Sequence, residues 1–216
     1  MKRATALALA AAAASMALAL SACASIGEGA GGAFDEHYTP DFPAEYSITY
    51  SVQDPEGDTT EVSKTQDPQG NIRYVSGNTD ALFIASGKGE WERYEHNKEG
   101  AYVPTGGELY GEDQINTITK DFDTYAKTSS QKNMPGTKQE GSVTVLGRAA
   151  ALFSNRVGTS TTGVTYTLTV DDETGLCIGW IESKKVDGTT QQPDAAVFHA
   201  TKFLTSNIGS LASLIS

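Results

Sequence analysis

The stretch GVTYTLTVDDETGLCIGW, Gly163–Trp180, decides the fold. Val164, Tyr166, Leu168 and Val170 alternate with Thr165, Thr167 and Thr169. Strict period-two alternation of apolar and polar side chains describes a strand with one face buried and one face wet. DDETG follows, with Gly175 where a short hairpin needs a left-handed residue. The apolar run after it reads as the returning strand. Two antiparallel strands and a defined turn thus come from one short piece of chain.

The same grammar extends in both directions. AEYSITYSVQ, residues 44–53, places Tyr46, Ile48, Tyr50 and Val52 on one face, with Ser47, Thr49, Ser51 and Gln53 on the other. DPEG (Asp54–Gly57) and DPQG (Asp67–Gly70) set proline where a turn wants φ near −65° and close with glycine. Further strands are expected over 59–66, 71–77, 80–86, 90–96, 100–104, 141–148, 151–157, 176–186 and 195–205. The sum is about eleven strands on short connections, a single curved antiparallel meander. Glu108 to about Ser130 breaks the alternation. Ile115, Ile118, Phe122 and Tyr125 recur there at helical spacing, while Glu112, Asp113, Lys120 and Asp123 fall off that stripe. An amphipathic helix inserted between strands is the expectation. Residues 132–141 read as an exposed loop, and 206–216 as a short closing helix with Ile208, Leu211 and Ile215 on one side.

The N-terminus has a different character. Met1, Lys2 and Arg3 precede an apolar, alanine-rich run from Ala4 to Leu20, the layout of an export signal. The run is short and weakly apolar beside the roughly 20 strongly apolar residues of a membrane span. It ends in Leu20, Ser21, Ala22 and Cys23, which resemble the lipobox of bacterial lipoproteins. That resemblance implies diacylglyceryl attachment at the Cys23 thiol and removal of residues 1–22. Two acyl chains hold a protein on a bilayer stably, where one holds it only marginally. The glycine-rich segment 23–33 then reads as a tether with an end-to-end distance of roughly 15–20 Å. One β domain, 34–216, follows. The expected location is the extracytoplasmic side of a cell membrane or outer membrane.

Loss of residues 1–22 would leave 194 of the 216 residues, with 14 basic against 27 acidic side chains, a net −13. Such a balance argues against nucleic acid as a partner. Cys177 would be the one thiol left free of lipid, which excludes a disulfide framework, and GLCIGW makes it a small core residue.

The sequence offers little for catalysis. GEGAGG has the letters of a dinucleotide fingerprint at Gly27, Gly29 and Gly32, but no strand precedes it and no helix pattern follows. Ser129 and Lys132 show S-x-x-K spacing without the other elements of the serine acyl enzymes. His37, His96 and His199 share no metal-ligand spacing. Asp171, Asp172 and Glu173 lack the ladder of a calcium loop and read as a solvated acidic turn. No enzyme activity, cofactor or metal is expected. Tyr46, Tyr50, Tyr74, Trp91, Tyr94, Tyr102, Tyr166 and Trp180 all fall on expected strands. They describe either an ordinary sheet core or an aromatic-lined groove. So large an apolar face must close on itself, dimerise or hold an apolar ligand.

Two passages carry a family resemblance. TYTLTVDDETGLCIGWIESKKVDGTTQQPDAAVFHATKF, residues 165–203, is a strand, Asp-x-x-Thr-Gly-Leu, a strand, a glycine-containing turn and a strand closing near Phe. DALFIASGKGEWERYEHNKEGAYV, residues 80–103, has the Asp, Gly, Trp and Tyr of a second such pattern. Together they resemble the LolA/LolB-like lipoprotein-carrier superfamily, over about residues 44–205. The resemblance implies a half-open barrel with an inserted amphipathic helix over its concave face, and a lipid or lipoprotein acyl chain as ligand. Tyr46, Ile48, Tyr50, Tyr166 and Leu168 would line the cavity, with Ile115, Ile118, Phe122 and Tyr125 as the lid. The family's long helix before the first strand has no counterpart, because Pro40 and Pro43 in FDEHYTPDFPAEY oppose one. The lid would then rest on residues 108–130, with the C-terminus as a second candidate. Transport or sorting of an apolar ligand is the expected role; a ligand sensor acting on a membrane partner, and a structural module with a filled core, are the alternatives.

Overall fold

The computed structural model describes residues 40–128 and 137–215. The expected signal sequence, Cys23, the tether, His37 and the Ser129/Lys132 pair lie outside the described residues. The order is β1 (Tyr46–Gln53), β2 (Thr59–Gln66), β3 (Ile72–Ser76), β4 (Thr79–Gly87), β5 (Glu90–His96), β6 (Tyr102–Gly111), α1 (Glu112–Ile118), α2 (Lys120–Ala126), β7 (Lys138–Val145), β8 (Arg148–Gly158), β9 (Gly163–Asp171), β10 (Cys177–Val186), β11 (Thr189–Gln191) and β12 (Val197–Leu204). A single 3-10 turn, Leu211–Leu214, follows.

All twelve strands join one antiparallel sheet in the order β6-β5-β4-β3-β2-β1-β12-β10-β9-β8-β7, with the short β11 paired to β10. The first and last strands meet in its middle, Val52 opposite Phe198 and Ile48 opposite Phe203. A register shift between Thr49 and Tyr50 bends the sheet there. The outer strands β6 and β7 do not pair with each other, so the sheet stays open as a half-barrel.

Alternation in β1 is realised directly. Tyr46, Ile48, Tyr50 and Val52 are buried on the helix-bearing face beside Phe153, Leu168, Val170, Phe198 and Phe203. A second cluster, Ile72, Ala81, Phe83 and Ile115, continues that face toward β5. On the opposite face, Leu82 and Tyr102 are covered by Leu211 of the C-terminal turn. The C-terminus therefore covers the outside of the sheet and is no part of a lid. Asp67 fixes it there: this buried carboxylate accepts the backbone N–H of Asn71 at 2.9 Å and of Leu211 at 2.8 Å.

Three boundaries differ from the sequence expectation. The strand expected over 100–104 continues to Gly111, with left-handed Gly106 and Gly107 accommodating a bulge opposite β5. Its extension pairs Tyr110 with Trp91, and Tyr110 lies edge-on to Phe83. The β7–β8 hairpin turns at Leu146–Gly147, both with positive φ (52° and 78°). Leucine is uncommon in that conformation, so Gly147 alone signals the turn. The inserted helix, expected as one piece over 108–130, is two short segments that meet at Thr119 (φ −90°, ψ 9°). The i→i−4 bonds persist across the joint, from Thr119 N–H to the Ile115 carbonyl and from Asp123 N–H to the Thr119 carbonyl. It is a kinked helix, bent where the Lys64 side chain meets Thr119.

The DDETG turn is also more than a solvated loop. Asp171 is fully buried, because Arg148 donates Nε–H and Nη2–H to its two oxygens at 2.6 and 2.9 Å, and Thr174 adds its N–H and hydroxyl. Gly175 sits at φ 66° and donates its N–H to the Asp171 carbonyl at 2.9 Å. A β-branched residue is strained there, so Gly175→Val is expected to destabilise the domain by about 1–3 kcal/mol. An unchanged urea midpoint would contradict the left-handed geometry.

Candidate functional site

The kinked helix lies over the sheet near β1–β3, and the site grows from what its inward side chains meet. Phe122 is fully buried. Its ring stands 5.5 Å from Tyr50, 6.1 Å from Phe42 and 6.4 Å from Tyr46, centroid to centroid. Tyr125 and Phe198 extend the cluster at 4.9 Å from each other, each also against Tyr50. Tyr50 donates its hydroxyl hydrogen to the Cys177 carbonyl at 2.7 Å, which satisfies a polar group in a dry core. Burial pushes the Tyr50 phenol well above its ordinary value and the Cys177 thiol up to about 12. Neither group is reactive at neutral pH.

Of the expected cavity-lining residues, Tyr46, Ile48, Tyr50 and Leu168 share the main core cluster with Phe122. Tyr166 does not join that contact. It is half-buried further along β9, its ring tilted against that of Trp180 at 5.3 Å. Of the lid residues, Ile115 packs on Phe83 and Ile72, Phe122 enters the aromatic cluster, and Ile118 touches both groups. Tyr125 is half-buried at the edge of the larger group. The helix stripe thus fills the middle of the concave face.

One recess remains beside it. A pocket of about 240 Å³ opens between the helix and β1–β3, walled by Phe42, Tyr46, Ile72, Trp91 and Ile115, with Lys64, Gln66, Glu112, Asn116, Asp123 and Lys127 completing it. Ligand pockets commonly measure about 300–1,000 Å³, so this one sits just below that range. The Trp91 indole N–H is held by the Gly70 carbonyl at 2.8 Å, which leaves its ring as wall.

Lys64 is the unexpected member. It is 6% exposed, and its ammonium donates to Thr119 Oγ1 at 3.2 Å and Asp123 Oδ1 at 3.1 Å. The Phe42 and Phe122 rings lie 5.7 and 5.8 Å from Nζ. Burial lowers its pKa, and the Asp123 carboxylate opposes that shift only in part. Asp123, off the apolar stripe in the sequence, turns inward for this pairing. The signal was present in β2, where Val62, Lys64 and Gln66 share one face: a lysine at inward parity needs a partner. Phe42, a half-buried residue before the first strand, carries no periodic signal at all.

A second, polar recess of about 220 Å³ at the β3–β4 turn is lined by Asn78, Thr79, Asp80, Arg93, Glu95 and His96. Asp80 there is held below its ordinary value: burial raises it, and the Arg73 and Tyr102 hydrogen bonds outweigh burial. Among the described residues, no group of three or more His, Cys, Asp or Glu is placed to hold a metal, and no helix is long and apolar enough to cross a membrane.

No family model matches the sequence, and no curated protein matches it. Among solved structures, the crystal structure of LprF from Mycobacterium bovis aligns with 82% of this chain and 91% of that chain, at 12% identity and a TM-score of 0.38. Likeness at that level carries no information about ligand or role.

Proposed function

We propose that this chain is a lipid-anchored protein of the cell envelope whose half-barrel binds an apolar or amphipathic ligand, a lipid or acyl chain, beside and beneath the kinked helix. The role is binding, for transport or sorting, with no catalytic step. The observation that carries the reading is the pocket at the helix edge, apolar along Phe42, Tyr46, Ile72, Trp91 and Ile115 and polar on its other side, which runs up to the aromatic cluster around Phe122. The likeness of residues 44–205 to the LolA/LolB-like carriers supports it, as does the Leu20–Cys23 lipobox. The ligand would enter at the pocket and extend by displacing Phe122. Binding of a fluorescent fatty-acid analogue to the full chain in neutral vesicles, measured against empty vesicles, tests this. Saturable binding supports it, and its absence overturns it.

A specific observation favours a second reading, the structural module with a filled core. Phe122 already occupies the concave face, and the remaining pocket is small for a long acyl chain. On that reading no probe binds.

Anchoring is tested separately. Cys23→Ser is expected to leave an uncut signal and no acyl group. Metabolic labelling with a fatty acid should mark the wild type alone, and equal labelling of both would contradict the anchor.

A further inference from the structure

We propose that the pocket recognises the head of a single-chain amphiphile through an anionic oxygen, a carboxylate or a phosphate, taken by the Lys64 ammonium. This deepens the ligand-binding reading and rests on it. An ammonium has three hydrogens to donate. Lys64 directs two, to Thr119 and Asp123, and the third has no oxygen acceptor among the described residues. The Lys64 side chain is 7% exposed and lines the pocket, so a group that enters the pocket is what reaches that third hydrogen. An anionic oxygen is the strongest complement of an ammonium hydrogen that faces a pocket.

The surroundings favour an anion over a cation. The Asp123 carboxylate is engaged on both oxygens, by Lys64 at 3.1 Å and, more weakly, by the Thr119 hydroxyl at 3.4 Å. Glu112, the other carboxylate of the lining, is solvent-exposed. The apolar walls, Phe42, Ile72, Trp91 and Ile115, take the first part of the chain. At about 30 Å³ for a group the size of a water molecule or methylene, 240 Å³ holds a head and a short chain.

The test uses the full chain in neutral phosphatidylcholine vesicles and photoreactive analogues of octanoate, octyl phosphate, octanol and octylamine. Cross-links are mapped by mass spectrometry. Octanoate or octyl phosphate should label the peptides holding Phe42, Ile72 and Trp91 about tenfold more than octanol or octylamine, as a charge-assisted bond implies. The stronger of the two anions identifies the head. Lys64→Met should reduce anion labelling to the octanol level while circular dichroism stays unchanged. Should that variant fail to fold, the comparison of the four probes on the wild type decides alone. Equal labelling by octanol and octanoate would overturn head recognition and leave the apolar-ligand reading standing. Labelling by none of the four would overturn both.

Discussion

Phe122→Ala is expected to lower stability by about 3–5 kcal/mol, the range for removing a buried phenylalanine, and at the same time to strengthen binding of a fluorescent fatty-acid analogue. Both effects come from one side chain. Phe122 is fully buried against Tyr46, Tyr50 and Phe42, so its removal leaves a cavity that the kinked helix closes only in part. Tyr46 and Phe42 also wall the open pocket, so the new space adds to an existing one. A probe that must displace the ring in the wild type finds the place vacant in the variant. A gain of about tenfold corresponds to 1.4 kcal/mol, well within what burying several methylenes supplies. Urea titration and probe titration on the same preparation check the pair of effects. Loss of stability without any binding in either protein would favour the filled-core module. Unchanged stability would contradict the packing itself.

Asp171→Ala is expected to cost about 3 kcal/mol, the lower end for breaking a buried ion pair, since Arg148 is 16% exposed and can turn to water. The carboxylate receives Arg148 in two-pronged form and Thr174 through both N–H and hydroxyl, which ties the β9–β10 hairpin to β8. Burial pushes the Asp171 carboxyl up, but those hydrogen bonds outweigh it and hold the folded-state pKa below the ordinary 3.8. A depressed folded pKa stabilises the folded state above the ordinary value, and that contribution fades as pH falls through the lowered one. The gap in urea midpoint between wild type and Asp171→Ala should therefore be full at neutral pH and narrow below pH 3.8. A gap that stayed constant on acidification would contradict the assignment.

The sheet was readable where side chains alternate and turns carry proline or glycine. β1 and β9 declare both their state and their buried face, and DPEG, DPQG and DDETG close as their residues require. Reading failed where local signals were silent or contradictory. Leu146 turns left-handed against its preference, and the helix kinks at Thr119, where the side chain meets Lys64, distant in sequence. The buried charges were the hardest to foresee. Asp171 gains Arg148 from 23 residues away, Lys64 gains Asp123 from 59 away, and Asp67 accepts the Leu211 N–H from 144 away. Periodicity reports which face a side chain occupies, but not which charge arrives to meet it. The aromatic face was legible for the same reason: Tyr46 and Tyr50 sit at inward positions of an alternating strand. That Phe122 would press into them, and leave a recess around Lys64 and Trp91, is a tertiary arrangement that periodicity does not report.

Native mass spectrometry of the full chain, released from the membrane under conditions that keep it folded, tests the central claim most directly. A bound amphiphile of defined mass, lost on competition with excess octanoate and depleted in Lys64→Met, is the result predicted by a half-barrel that binds lipid beneath its helix. A chain that carries only its own covalent anchor, with no additional mass under any condition, would contradict it.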